Sequence, residues 1–315
     1  MRQYLCTGIL AFLVLAAIGT GRAQEMTTNI TTDPAKAPFV YDDVVNFIRV
    51  AKLLHGAADT VAILQTEYLD KGTPGLKRFI EKHDLTAERM QRAMRRHPEA
   101  YAALEGHPAA IEQLAVEGRA AYARLKEYIP EAVVPPTYFL VGAYRGIGSA
   151  SIKGVLITVE KWTLPPRGET TRLVHELTRF QQMVALGLEK YRALAGPENT
   201  LLGTCIREGA AEFFADLVTG HITKDDAIGF VRDNEDRLWR RFVTEMHGSE
   251  TGDWIWETPK DTLQPPHVGY VLGCFIVRSY YENAEDKAKA VREILGVTDY
   301  DAFLKESRYA MRFER

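Results

Sequence analysis

Cysteine is scarce in this chain, basic charge is not in excess, and beyond Ile18 no long apolar run occurs. Of the three cysteines, Cys6 lies in the N-terminal segment, so at most one disulfide is open to the rest. Cys205 and Cys274 either form it or stay as two buried thiols. A formal net charge of −3 supplies no basic field for nucleic acid. No later stretch approaches the ~20 apolar residues a spanning helix needs, which excludes a membrane span downstream. Internal repeats and low-complexity segments are missing as well. Gly142, Gly146 and Gly148 do not fit the G-x-x-x-x-G-K-[ST] spacing of a phosphate loop, and they read as a hairpin connection.

What is present begins with Arg2, an apolar run from Ile9 to Ile18, and small residues at Gly21 and Ala23 before Gln24. That is the layout of a secretory signal peptide, expected to be cleaved after about Ala23. The run is closed by Gly19-Thr20-Gly21-Arg22, short of a spanning length, and no lipid-anchoring cysteine follows it. The mature chain is expected to be soluble, in the periplasm or outside the cell. Removing residues 1–23 from 315 leaves 292, enough for one large domain or two small ones. Net charge becomes −5, because Arg2 and Arg22 leave and no acid does.

Residues 24–38 are polar, Thr-rich and interrupted by Pro34, which suggests a flexible lead-in. Residues 39–130 read as a helical subdomain, with apolar stripes such as Val45, Phe47, Ile48, Val50, Ala51 and Leu54 at helical spacing. Over 131–310 the period changes after Pro135-Pro136: Thr137–Val141 and Gly154–Glu160 have strand character. Helical periodicity then returns over 169–193, 200–219, 224–247, 268–283, 286–294 and 299–307. The expected fold class is α+β and mostly α, a helical N-terminal bundle followed by a small hairpin sheet and C-terminal helices.

Two segments could carry chemistry. In Leu173-Val174-His175-Glu176-Leu177-Thr178-Arg179, positions 175 and 179 share one helical face with Glu176 beside them. A zinc peptidase uses two imidazoles at that spacing to hold the metal, and the intervening carboxylate takes a proton from metal-bound water. Here the second imidazole is Arg179, whose guanidinium has no lone pair to give a metal. A His-Glu pair alone is weak evidence in a chain with 8 histidines and 42 acids. In Arg207-Glu208-Gly209-Ala210-Ala211-Glu212-Phe213-Phe214-Ala215-Asp216, the acids repeat every fourth residue. They form either a solvated acidic stripe or a row facing cations. Gly209-Ala210-Ala211 would let another helix approach closely beside Glu208.

His-Glu-x-x-His on one helix with Glu-Gly-x-Ala-Glu on the next is the gluzincin pattern, and this pair resembles it with one position altered. Tyr68–Leu76, Tyr128-Ile129-Pro130, Pro135–Phe139, Gly154–Ile157 with Glu160, and Gly269–Gly273 with Tyr280-Tyr281 narrow the likeness. Together they are similar to the bacterial predicted zinc-dependent protease family, a domain of unknown function also related to gliding-motility lipoproteins. The likeness spans roughly residues 45–285. It implies a zincin-like fold with the metallopeptidase subdomain over 131–310, His175 and Glu208 as zinc ligands, and Glu176 as general base. It also implies Glu212 as an outer carboxylate orienting the imidazole, and the strand at 154–160 as the edge along which a peptide lies.

Tyr270 and His267 open the 268–283 helix. Tyr270 is either an oxyanion donor or a core aromatic, and His267 is a candidate for the imidazole missing at 179. Buried Glu208 and Glu212 need a positive neighbour if zinc is absent, and Arg179 can supply it. Three readings follow: an exported zinc metallopeptidase impaired by Arg179, an inactive pseudo-peptidase binding a peptide or cell-envelope partner, or a helical assembly component. Zinc is implied if the first holds; otherwise no cofactor is required.

Overall fold

The computed structural model of the chain describes residues 27, 29–196, 199–256, 259 and 263–314. The expected signal peptide over residues 1–23 lies outside the described residues. The architecture is mostly helical α+β, built around one small mixed sheet. Helices α1 (Asp42–Leu53), α2 (Pro74–His83), α3 (Ala87–Arg96) and α4 (His107–Tyr128) precede the main strands. Helices α5 (Glu169–Leu186), α6 (Leu188–Leu194) and α7 (Leu201–Thr219) follow them. The chain closes with α8 (Asp225–Asp233), α9 (Glu235–Glu245), α10 (Val268–Asn283), α11 (Lys287–Leu295) and α12 (Tyr300–Ser307).

The sheet runs β1-β2-β4-β3, from β1 (Phe39–Val40) and β2 (Thr137–Leu140) to β4 (Gly154–Thr158) and β3 (Gly148–Ser151). The first two pairings are parallel, and β3 lies antiparallel to β4. Every residue of β2 and β4 is buried, as strands covered on both faces must be. On one face Tyr138 packs its ring against Gly75 of α2, so closely that a Cβ there would overlap the ring. On the other, Thr137 meets the Tyr122 hydroxyl of α4 at 3.2 Å. The Tyr68–Leu76 segment therefore has a structural job. The Asp43 carboxylate accepts bonds from Thr73 N at 3.0 Å and Thr73 Oγ1 at 2.5 Å, and Thr73 caps α2.

Three expectations are corrected. The strands at 137–141 and 154–160 do not form a hairpin with each other; they pair in parallel, and the hairpin is β3 with β4. Residues 154–158 are consequently interior, and the edges are β1 on one side and β3 on the other. The described part of 24–38 is tied down: Thr27 N donates to Ile152 O at 2.8 Å and Thr31 bridges to Val134. The Gly142–Gly148 turn is organised by Glu160, whose buried carboxylate accepts from Gly142 N at 3.0 Å and Arg145 N at 3.2 Å.

Two helices expected to be continuous are broken. At Gly187 the backbone turns to φ 74°, ψ 151°, a conformation that favours glycine, and α6 leaves α5 there. Asn234 separates α8 from α9. On the far side of α5, α7 is sandwiched against α10. Gly209 and Gly273 face each other, and a Cβ on Gly273 would overlap the carbonyl of Cys205. The small run at 209–211 thus permits the close approach. Cys205 and Cys274 are both buried free thiols.

Candidate functional site

Helices α5 and α7 lie antiparallel, and their pairing sets the site. Thr171 Oγ1 meets Thr219 Oγ1 at 3.1 Å near one end, and Gln182 Nε2 donates to Arg207 O at 3.0 Å near the other. Between those levels the His175 ring stands between two carboxylates. Its Nε2 is 3.4 Å from Glu208 Oε2 and its Nδ1 is 3.2 Å from Glu212 Oε1, the latter too misaligned for a straight hydrogen bond. One turn along α5, Arg179 Nη1 donates to Glu208 Oε1. The third acid of the row, Asp216, takes Arg278 of α10. Each acid on α7 therefore has a cation, which resolves the choice between a solvated stripe and a paired row.

Burial works against charge here, and the neighbours overcome it. Alone it would lower the His175 pKa, but Glu212 and Glu208 hold it up at about 9. Burial would likewise raise the Glu208 carboxyl, yet Arg179 and His175 keep it well below the usual carboxylate range. Glu212 is shifted down by His175 and by Thr223, whose backbone N donates at 2.6 Å. The seam thus alternates basic and acidic side chains between the two helices, Arg179 and Glu208 partly exposed and His175 and Glu212 buried.

Outer contacts fix the cations. The break at Gly187 returns α6 toward α5, so that the Tyr191 hydroxyl accepts from Arg179 Nη2 at 3.0 Å. Tyr270 lies with its ring 6.2 Å from that of His175, nearly parallel, and Lys224 Nζ stands 5.2 Å from the Tyr270 centroid. Burial raises the Tyr270 hydroxyl far above its ordinary pKa. His267 sits edge-on to Tyr270 at 5.5 Å, with Nδ1 2.7 Å from Ile255 O. A depression of about 810 Å³ opens beside the seam at the N-terminal end of α5, where Thr171, Thr219 and Thr223 form part of its wall.

The other face of α5 meets the sheet edge. Glu176 is 8% exposed and points at Gly148 of β3; a Cβ on that glycine would sit 2.9 Å from Glu176 Oε1. Across the edge, Lys82 at the end of α2 donates to Ser149 Oγ and, at 2.8 Å, to Ala150 O. Its stem is exposed while its amine is turned into the strand, and burial of that amine lowers its pKa to about 8.

Residues 180–311 match the family model described as gliding motility protein GldB. The matched span, less than half of the chain, takes in Glu208, Glu212, His267 and Tyr270, and leaves out the sheet, His175, Glu176 and Arg179. No curated protein and no solved structure matches the chain.

The donor set does not fit the zinc that the peptidase resemblance implies. Arg179 offers no lone pair and its guanidinium lies on the Glu208 oxygen. Glu208 lies on the Nε2 side of His175 and Glu212 on the Nδ1 side, so His175 and Glu208 do face a common point with Glu212 behind the ring, and what the set lacks is a further ligand where Arg179 stands. Among the described residues, no three His, Cys, Asp or Glu side chains are disposed to hold a metal ion. Sequence reasoning missed Tyr191, Thr223 and Lys82. Each comes from a separate segment and carries no periodic signal; Gly187, inside the expected 169–193 helix, is the local residue that could have marked the turn.

Proposed function

We propose that this protein is a non-catalytic relative of zinc peptidases, exported to the cell envelope, which uses the peptidase cleft to bind a peptide segment of a partner. The observation that carries the reading is the contact of Arg179 with Glu208, where the pattern would have a metal ligand facing a metal ligand. A protonated guanidinium meets the electrostatic need of the buried acid without any metal. The outer edge of β3 beside α5, open at Gly148, gives a peptide backbone a place to pair. The match to a gliding motility family over 180–311, and the N-terminal segment read as a signal peptide, favour an envelope role. Among the described residues, no helix is long and apolar enough to cross a membrane.

Zinc content and peptidase activity of wild type and Arg179→His test this reading. Wild type is expected to carry no stoichiometric zinc and to cleave no peptide, while the variant, with a second imidazole, gains zinc. Equimolar zinc and hydrolysis in wild type would assign it peptide-bond hydrolysis instead. A variant that also binds no metal would favour the helical assembly component, in which the peptidase likeness is scaffold alone.

A further inference from the structure

The bond from Thr158 N to Ile147 O, 2.9 Å, sets the phase of the β3 edge. Position 147 faces β4, so the backbone groups of Gly148, Ala150 and Ile152 turn outward. Two of these three are already engaged by the chain itself. Lys82 Nζ covers Ala150 O at 2.8 Å, and Thr27 N covers Ile152 O at 2.8 Å. A strand running the length of the edge would have to displace both. A chain end entering at Gly148 displaces neither.

Glu176 stands beside that one open position. It is 8% exposed, and among the described residues its carboxylate makes no hydrogen bond and no close ion pair. Its oxygens keep a little contact with solvent, so the cleft presents a charged acceptor that a group bringing both charge and donors can reach. The charges around it are Lys82, two of whose three donors are taken by β3, Arg172, whose stem also lies beside Gly148 and whose head pairs with Glu169, and His175 and Arg179, which are committed to Glu212 and Glu208.

We infer that the cleft takes the free amino end of a polypeptide, its α-ammonium group on Glu176 and its first peptide unit on Gly148. The inference rests on the cleft binding peptide at all. Gly148 itself has no side chain, and the stem of Arg172 beside it is the wall that the first residue of the peptide meets. Lys82 becomes a specificity-determining residue: by capping Ala150 it keeps through-running strands off the edge.

The test uses the immobilised full chain and two pools of random, C-terminally amidated tetrapeptides, one with free amino ends and one acetylated, with retention read by mass spectrometry. Wild type is expected to retain the free-ended pool at least tenfold over the acetylated one. Glu176→Gln should erase that preference, and Lys82→Met should admit the acetylated pool by uncapping Ala150. Equal retention of both pools by wild type would overturn the amino-end inference and leave peptide binding standing. Retention of neither pool, by wild type or by Lys82→Met, would overturn both. Thermal melts of the two variants, expected at the wild-type temperature, separate lost binding from lost fold.

Discussion

The two faces of α5 differ in how they treat buried acid. Toward α7, Glu208, Glu212 and Asp216 are matched by Arg179, His175 and Arg278, with the His175–Glu212 pair buried and the outer two pairs partly exposed. Toward β3, a single carboxylate, Glu176, is more buried than Glu208 or Asp216, though less than Glu212, and among the described residues it has no hydrogen-bonding partner. The first arrangement is finished without a ligand and contributes rigidity; the second is open. Substitutions in the seam should therefore be read in stability, and those on the cleft face in binding.

The largest way to break that contrast is alkaline pH. His175 has its pKa raised to about 9 in the fold from an ordinary 6.5, so the native state binds the proton more tightly. Its contribution is fully present below the unfolded pKa and is lost as pH rises through about 9, on the order of 3 kcal/mol at most. The groups facing it are Glu208, Glu212 and Glu176. Urea midpoints of wild type should fall across that window relative to His175→Gln, which removes the proton site; parallel curves would refute the shift.

A smaller effect is expected from the helix that backs the seam. Gly273→Ala places a Cβ into the Cys205 carbonyl and pushes α10 from α7, at a cost of about 1–3 kcal/mol in denaturant unfolding. An unchanged midpoint would mean the helices are not held this closely. The smallest effect sharpens the comparison from the other side. Glu176→Gln should leave stability within about 0.5 kcal/mol of wild type or raise it, since no hydrogen bond is lost. A loss like that of a seam residue would show that Glu176 is a structural group.

Much of the seam was legible in the sequence because it is periodic. Residues 175 and 179 on one helix and 208 and 212 on the next each repeat at one turn, and Gly209 announced the close neighbour that proved to be α10. The mostly helical α+β class followed from the same periodicity and from the proline breaks. The sheet edge was not legible. Gly148-Ser149-Ala150-Ser151 has no β-branched or aromatic residue to mark a strand, and it is one only because β4 offers it a ladder. The edge expected at 154–160 came from the family resemblance, and no local pattern marked a further strand outside it. Lys82 and Tyr191 reach the site by tertiary routes, over the edge of the sheet and around Gly187, which no local pattern records.

The most direct test of the claim that Arg179 and Glu208 neutralise each other is a double-mutant cycle of unfolding free energies with Arg179→Met, Glu208→Gln and the pair. Arg179→Met leaves Glu208 with His175 alone and Glu208→Gln leaves Arg179 without a carboxylate, and each should cost on the order of 2–3 kcal/mol, below the range of a fully buried pair because both side chains are partly exposed. The double variant should recover at least about 2 kcal/mol of the summed loss. Effects that add to within about 0.5 kcal/mol would contradict the account, because the two side chains would then be independent.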